Sequence, residues 1–201
     1  MDLWQLEASY HANGYTLLCG VDEAGRGPLA GPVCAAACIL PEGLRLEGLN
    51  DSKKLSAKKR EVLYEMITEQ ALAWSVNLID EQTIDEINIL QATFRAMRGA
   101  VAGLSICPEL CLVDGNLNPG LGLPTETLVK GDSRCACIAA ASVLAKVTRD
   151  RYMEALAEQY PQYGFEVHKG YGTKAHYAAI EENGLCPAHR RSFLKKYYGK
   201  K

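Results

Sequence analysis

Long apolar runs are missing from this chain of 201 residues. The longest, such as Val33 to Leu40, fall far short of the roughly 20 residues that cross a bilayer. At the N-terminus no basic segment leads into an apolar one. The expectation is a soluble, unexported protein that works in the cytoplasm with no membrane partner. Any C-x-x-C pair is also missing. The eight cysteines sit mostly among Ala, Val, Ile and Leu and read as small buried apolar residues, and Cys135-Ala136-Cys137 lacks the second ligand pair that a zinc site needs. A basic excess is absent as well: the formal net charge is -2, which argues against a protein that coats nucleic acid through charge alone. Repeats and low-complexity segments are absent. What remains is a chain that is 48% hydrophobic, enough to bury one sizeable core.

The charge that is present is uneven. Lys53, Lys54, Lys58, Lys59 and Arg60 form one basic cluster, and Arg190, Arg191, Lys195, Lys196, Lys200 and Lys201 form another. By itself either one reads as a solvated helix face or tail.

The order of elements begins with strands. Tyr15 to Val21 and Pro32 to Leu40 are apolar runs closed by turn residues, and Trp74 to Ile79 alternates as a third strand. Between them, Ser56 can cap a helix with Val62, Leu63, Met66, Ile67 and Ala71 at helical spacing. From Thr83 a long helix carries a stripe of Ile84, Ile87, Leu90, Phe94, Met97 and Val101 and stops near Gly103. Leu110 to Val113 and Thr125 to Val129 are short strands. Ser133 opens an alanine-rich helix that runs to about Tyr160, and Thr173 to Asn183 forms another, stopped by Gly184. This order predicts an α/β domain with a mixed central sheet flanked by helices. A boundary near Tyr160, at Pro161, divides a main body of residues 1–160 from a small helical C-terminal part of the same domain, residues 161–201.

Carboxylates stand at three predicted strand ends: Asp22 and Glu23, Asp114, and Asp132. Sites in open α/β sheets gather at the carboxyl ends of strands. Carboxylates brought together there repel one another unless cations sit among them, and hard oxygen ligands suit Mg²⁺ or Mn²⁺. Two such ions about 3.5 to 4 Å apart can activate a water and stabilise a leaving oxygen in phosphodiester cleavage. Each acid alone is ordinary turn or cap chemistry, and adjacent residues on a regular strand face opposite ways, so Asp22 and Glu23 share a site only where the strand ends or twists, or if one contributes its backbone carbonyl. Of the four histidines, His11 and His176 show no acid or serine partner in sequence, and His168 and His189 read as structural. A Ser-His-Asp hydrolase is unsupported.

The segment from Val21 through Asp22-Glu23-Ala24-Gly25-Arg26-Gly27-Pro28 to Val33 resembles the signature of the type 2 ribonuclease H family, of which bacterial ribonuclease HII is the nearest member. Further matches follow in the family's order: Asn50 to Leu55, Val113 to Asn116, Lys130-Gly131-Asp132, Ala139 to Asp150, His168 to Thr173, and His189 to Phe193. The resemblance implies a ribonuclease H-like fold. It implies an endonuclease that hydrolyses the RNA strand of RNA/DNA hybrids and nicks 5′ to single ribonucleotides in duplex DNA, leaving 3′-hydroxyl and 5′-phosphate ends. The implied role is ribonucleotide removal and RNA primer degradation. It assigns Asp22, Glu23, Asp114 and Asp132 as the catalytic, metal-binding carboxylates for two Mg²⁺ or Mn²⁺ ions, with no small-molecule cofactor.

By the same resemblance, Gly25, Arg26 and Gly27 read the RNA-to-DNA junction through backbone contacts, and Tyr171 packs against the deoxyribose. Glycines let the main chain approach a sugar-phosphate backbone, and the 2′-hydroxyl is what distinguishes RNA from DNA. Lys53 and Lys54, and with them Lys146 and Arg190, are implied substrate contacts. Family analogy suggests a monomer. The ending Lys195 to Lys201 shows no sliding-clamp peptide, so clamp binding is not expected. The Gly-Arg-Gly tripeptide and the short segment before the first strand disfavour the sister type, ribonuclease HIII. Two other classes differ in their products: a DNA-cutting metal nuclease of related fold, and a non-catalytic nucleic-acid-binding module whose binding survives chelation.

Overall fold

The structure, a computed structural model, describes residues 3–198, with side chains through Lys195. Lys200, Lys201 and the Lys196 side chain of the second basic cluster lie outside the described residues, as does the end of the segment in which a clamp peptide would stand.

Five strands form one sheet in the order β3-β2-β1-β4-β5. They are β1 (Leu18–Ala24), β2 (Val33–Ile39), β3 (Ala73–Ile79), β4 (Leu110–Asp114) and β5 (Thr125–Leu128). β1 pairs antiparallel with β2, and β2 with β3, while β1 runs parallel to β4 and β4 to β5. Mixed pairing with helices on both faces is the arrangement expected from the sequence. One strand is misplaced by the sequence reading: β1 starts later than Tyr15 and runs through Ala24, so that Asp22 and Glu23 lie within it. The ladder to β2 carries the strand past the charges, with Asp22 opposite Ala36 and Ala24 opposite Cys34. Charge ends an apolar run but leaves backbone pairing untouched.

Among the described residues seven helices pack around the sheet: α1 (Trp4–Ala12), α2 (Ala57–Gln70), α3 (Glu81–Ala102), α4 (Ala136–Gln159), α5 (Phe165–His168), α6 (Lys174–Asn183) and α7 (Arg191–Tyr198). The Ser56 side chain caps α2 by accepting from Lys59 N–H, and Thr173 caps α6 by accepting from His176 N–H. α3 begins slightly before Thr83, capped by Asp80, and is broken inside at Asn88 (φ 67°, ψ 163°). The Asn88 side chain then accepts from Leu90 and Gln91 N–H, re-capping the second half. α4 starts three residues after Ser133, because Gly131–Ser133 forms a 3-10 turn first. α1 has no apolar stripe legible in the sequence.

Two apolar cores lie on the two faces of the sheet. Leu18, Cys38 and Leu112 meet the buried first half of α4 on one face, while Cys19, Val21, Ala35 and Val113 meet Ala92, Ala96 and Ala100 of α3 on the other. Alanines and Gly20 let α4 lie close on β1: a Cβ on Gly20 would fall 2.1 Å from the Cys137 carbonyl carbon. A third cluster joins Leu29, Ala30 and Met153 to Tyr163, Phe165, Ile180 and Leu194 of the C-terminal part. Seven of the eight cysteines are buried and Cys107 is exposed. Among the described residues no helix is long and apolar enough to cross a membrane.

Candidate active site

β1 and β4 are parallel and in register, Gly20 beside Leu112 and Val21 beside Val113. Continued by one residue, that register sets Asp22 beside Asp114, both on the α4 face at the carboxyl ends of their strands. Asp132 arrives from the 3-10 turn before α4. Asp114 Oδ1 ties that turn down by accepting from Gly131 N–H at 2.7 Å. Ligand-capable oxygens of Asp22, Asp114 and Asp132 lie within 4.8 Å of one another. Three of the four named acids therefore converge. Glu23 faces the other way from Asp22 along the strand; it stands beside the cluster and bonds Arg26 Nη1 at 3.2 Å.

The cluster is held at electrostatic cost. Asp22 is 2% exposed, and its Oδ2 has no hydrogen-bond partner while Oδ1 accepts from Glu23 N–H. Burial, then the charges of Glu23 and Asp114, push its carboxyl well above the usual range, against a hydrogen bond from Ser142. Burial also raises Asp132, with Asp114 and Asp51 adding to it and Lys53 opposing. Burial raises Glu23 despite Arg26. Lys53 places Nζ 3.7 Å from Asp132 Oδ2; burial works against its charge, yet Asp22, Asp132, Asp51 and Asp114 raise its pKa on balance. An orphaned buried carboxylate oxygen among acids that resist ionising fits a hard divalent cation as the missing partner.

Next to the acids, a cavity of about 220 Å³ is walled by Glu23, Gly25, Arg26, Gly27, Lys53, Lys146 and Tyr171, together with Ala24, Ser52 and Arg149. Most of the residues named from the sequence as substrate contacts meet here. Tyr171 is 46% exposed, and its ring edge comes within 3.7 Å of where a Gly27 Cβ would stand. Lys146 bonds Asp150 at 2.6 Å, and burial lowers its pKa. Lys54 lies off the cavity, exposed, with Nζ 3.7 Å from Asp51.

Arg190 is not on the surface where a substrate contact would be. It is fully buried, and its guanidinium donates to the carbonyls of Gly25, Arg26, Pro28 and Gly31. Its role in the structure is to hold the glycine loop from within. Arg149, which sequence reasoning passed over although it lies in the matching Ala139 to Asp150 segment, does the same through Ala30 and Pro32 and also donates to the Lys169 carbonyl at the end of α5. At Gly25 (φ +93°) a Cβ would fall 2.0 Å from Arg149 Nε, so only glycine allows this packing. Asp51 and Ser142 were passed over too. Asp51 Oδ1 accepts from Lys53 N–H at 2.9 Å, and Ser142 hydrogen-bonds Ser52 at 2.8 Å. Arg60 of the first basic cluster donates inward to Ser52 and Leu55 carbonyls.

The histidines stand apart from the acids. His176 and His189 bond each other at 3.1 Å in the C-terminal core, His168 stacks on His176, and His11 Nδ1 bonds the Tyr15 carbonyl.

The chain is similar to known proteins along nearly its whole length. The family model described as Ribonuclease HII matches residues 19–196. Ribonuclease HII of Caldicellulosiruptor saccharolyticus is 53% identical over 192 residues, 96% of this chain and 94% of that protein. Ribonuclease HII of Pelodictyon phaeoclathratiforme is 56% identical over 205 residues, 99% of this chain and 96% of that protein. The crystal structure of ribonuclease H2 from Pyrococcus horikoshii OT3 matches with a TM-score of 0.75 at 27% identity, over 92% of this chain and 100% of that chain.

Proposed function

Because the chain belongs to the ribonuclease HII family, we propose that its carboxylate cluster hydrolyses the phosphodiester on the 5′ side of a ribonucleotide, in RNA/DNA hybrids and at single ribonucleotides within duplex DNA. The enzyme is a ribonuclease H on a ribonuclease H-like fold, and enzymes of this family depend on metal and act on nucleic acid. The observation that carries the reading is the meeting of Asp22, Asp114 and Asp132 within 4.8 Å, with one Asp22 oxygen unpartnered, beside the cavity walled by Gly25, Arg26, Gly27 and Tyr171.

In this reading Asp22, Asp114 and Asp132 hold two Mg²⁺ or Mn²⁺ ions, with Glu23 completing the cage once Arg26 turns to the substrate. Bound there, such ions supply charge stabilisation at the scissile phosphate and its leaving 3′-oxygen and activate the attacking water. The P–O3′ bond breaks, leaving 3′-hydroxyl and 5′-phosphate ends. Lys53 sits where its ammonium neutralises a phosphate oxygen next to the acids. Since Arg190 occupies the carbonyls of Gly25, Arg26 and Pro28, the loop is left to offer its N–H groups to the ribose 2′-hydroxyl and the flanking phosphate. Tyr171 gauges the next sugar, where an added 2′-hydroxyl would disturb the packing. No side-chain nucleophile takes part. Residues 161–201 act as an extension of the catalytic domain, since Arg190 and Tyr171 complete the loop and cavity from there. The enzyme works as a monomer in the cytoplasm, in ribonucleotide removal and primer degradation.

The test offers the protein three duplexes in Mg²⁺ or Mn²⁺: DNA with one embedded ribonucleotide, an RNA/DNA hybrid, and DNA alone. Nicking 5′ to the lone ribonucleotide with the all-DNA duplex intact is expected. Cutting of the all-DNA duplex would overturn the reading.

A further inference from the structure

α4 opens without a cap of its own: its N-cap residue, Cys135, makes no side-chain cap hydrogen bond. The acceptor comes from far away in sequence. Glu7 of α1 takes the Cys137 N–H on one carboxylate oxygen, and the Cys135 thiol donates to the same oxygen at 3.4 Å. The two sulfurs, Cys135 Sγ and Cys137 Sγ, are 3.5 Å apart. All three residues are buried, and their ligand-capable atoms lie within 4.8 Å of one another. Tertiary packing thus adds to Cys135-Ala136-Cys137 one carboxylate from far away in sequence, a third ligand where the sequence surroundings offer none.

We propose that Glu7, Cys135 and Cys137 form a second metal site that takes Zn²⁺ on three protein ligands with one open position, separate from the aspartate cluster. A tetrahedral Zn²⁺ with bonds of about 2.3 Å to sulfur and 2.0 Å to oxygen places two sulfurs about 3.8 Å apart and a sulfur and an oxygen about 3.5 Å apart. The spacings in the structure, 3.5 and 3.4 Å, need only small adjustments to meet these values. Thiolates select Zn²⁺ over the hard ions suited to carboxylates alone. Zn²⁺ takes both cysteines as thiolates, so binding releases one proton from each thiol to solvent. Two thiolates, one carboxylate and Zn²⁺ carry a net single negative charge, which suits the positive end of a helix dipole. Glu7 also walls a cavity of about 340 Å³ with Trp4, His11 and Arg45, so the carboxylate is the member of the cluster that solvent space reaches. Such an ion would clamp α1 to the start of α4, four residues after Asp132.

The experiment uses the whole chain carrying Cys107→Ser, which removes the exposed thiol, in a reductant without sulfur and with excess Mg²⁺ to occupy the aspartates. Co²⁺ is titrated as the probe. One equivalent is expected to give a near-ultraviolet sulfur-to-cobalt charge-transfer band, which excess Zn²⁺ abolishes. The double variant Cys135→Ser/Cys137→Ser should lose the band, and Glu7→Gln should weaken Co²⁺ binding at least about tenfold. Circular dichroism and ribonucleotide cleavage establish that the variants are folded. If they are not, X-ray absorption on the Cys107→Ser protein loaded with Zn²⁺ counts the sulfurs directly: two support the site. No band, a band that survives in the folded double variant, or zinc without sulfur neighbours would overturn the proposal. None of these outcomes bears on cleavage by the aspartates.

Discussion

Asp22 at the end of the sheet and Arg190 in the C-terminal part are both almost wholly hidden from water, at 2% and 0% exposure, and the fold treats them in opposite ways. Asp22 keeps one oxygen without a partner among neighbouring acids. Arg190 gives its donors to four carbonyls of a single loop, and Arg149 supports the same loop through two more carbonyl bonds and ties it to Lys169 through a third. A buried charge is tolerated when hydrogen bonds satisfy it and is costly when they do not. Both arginines belong to the scaffold, and the unpartnered Asp22 oxygen, beside Asp114 and Asp132, marks where something from outside must bind.

The comparison can be broken most sharply at the acids. Asp132→Asn is expected to reduce Mg²⁺-dependent cleavage about a thousandfold, while leaving the metal-free protein as stable as before or more stable by about 1 kcal/mol. Single-turnover cleavage and thermal melts in EDTA check the two halves, and an equal loss in stability would make the acid a structural one. At the arginines the pattern should reverse. Arg190→Ala strands buried carbonyls and should cost about 3 kcal/mol in urea unfolding. Arg190→Lys keeps charge but loses the planar fork, so it should unfold earlier as well and cleave with a raised KM.

Acid pH should move the two regions in opposite directions. Burial lowers the pKa of His176 and His189 from 6.5 to about 4, so the unfolded chain takes up protons that the folded chain refuses. Stability in that part is therefore lost as pH falls from 6.5 toward 4. The Asp22 carboxyl is raised well above its ordinary 3.8, so its contribution is present at low pH and lost as pH rises through the folded value. Hydrogen exchange in EDTA, corrected for intrinsic rates, should show residues 165–190 losing protection as pH falls from 6.5 toward 4, while the ends of β1 and β4 gain it as pH falls through the raised Asp22 value. Asp22→Asn should remove the second response and leave the first. The smallest effect lies at the border of the regions: Tyr171→Ala should slow nicking at a lone ribonucleotide about tenfold, or 1.4 kcal/mol, with less loss on an RNA/DNA hybrid. Equal loss on both substrates would make the ring a packing residue.

Much of the fold is legible in the residues alone. Strands, capped helices and their order follow from apolar periodicity and from Ser56 and Thr173, and Gly20 and the alanines of α4 permit close packing wherever those two elements touch. The shift of β1 is not legible, because a strand's length is set by the neighbour it pairs with. The break at Asn88 is hidden because the apolar stripe continues through it. Of the site, the acids and the glycine loop can be named from motifs, but Arg190 reads as a surface cation because charge is usually solvated. Only the returning C-terminal segment brings it to carbonyls that need a donor.

Asp22 and Arg190 mark the same division. The sequence by itself determined the kinds of residues, the periodic elements and the family motifs, because those depend on local chemistry and spacing. Only the tertiary structure decided that Asp22 lies beside Asp114 through parallel register, that Arg190 is spent on the glycine loop, and that Glu7 meets two cysteines. Distances between residues far apart in the chain are fixed by packing, which no local pattern records.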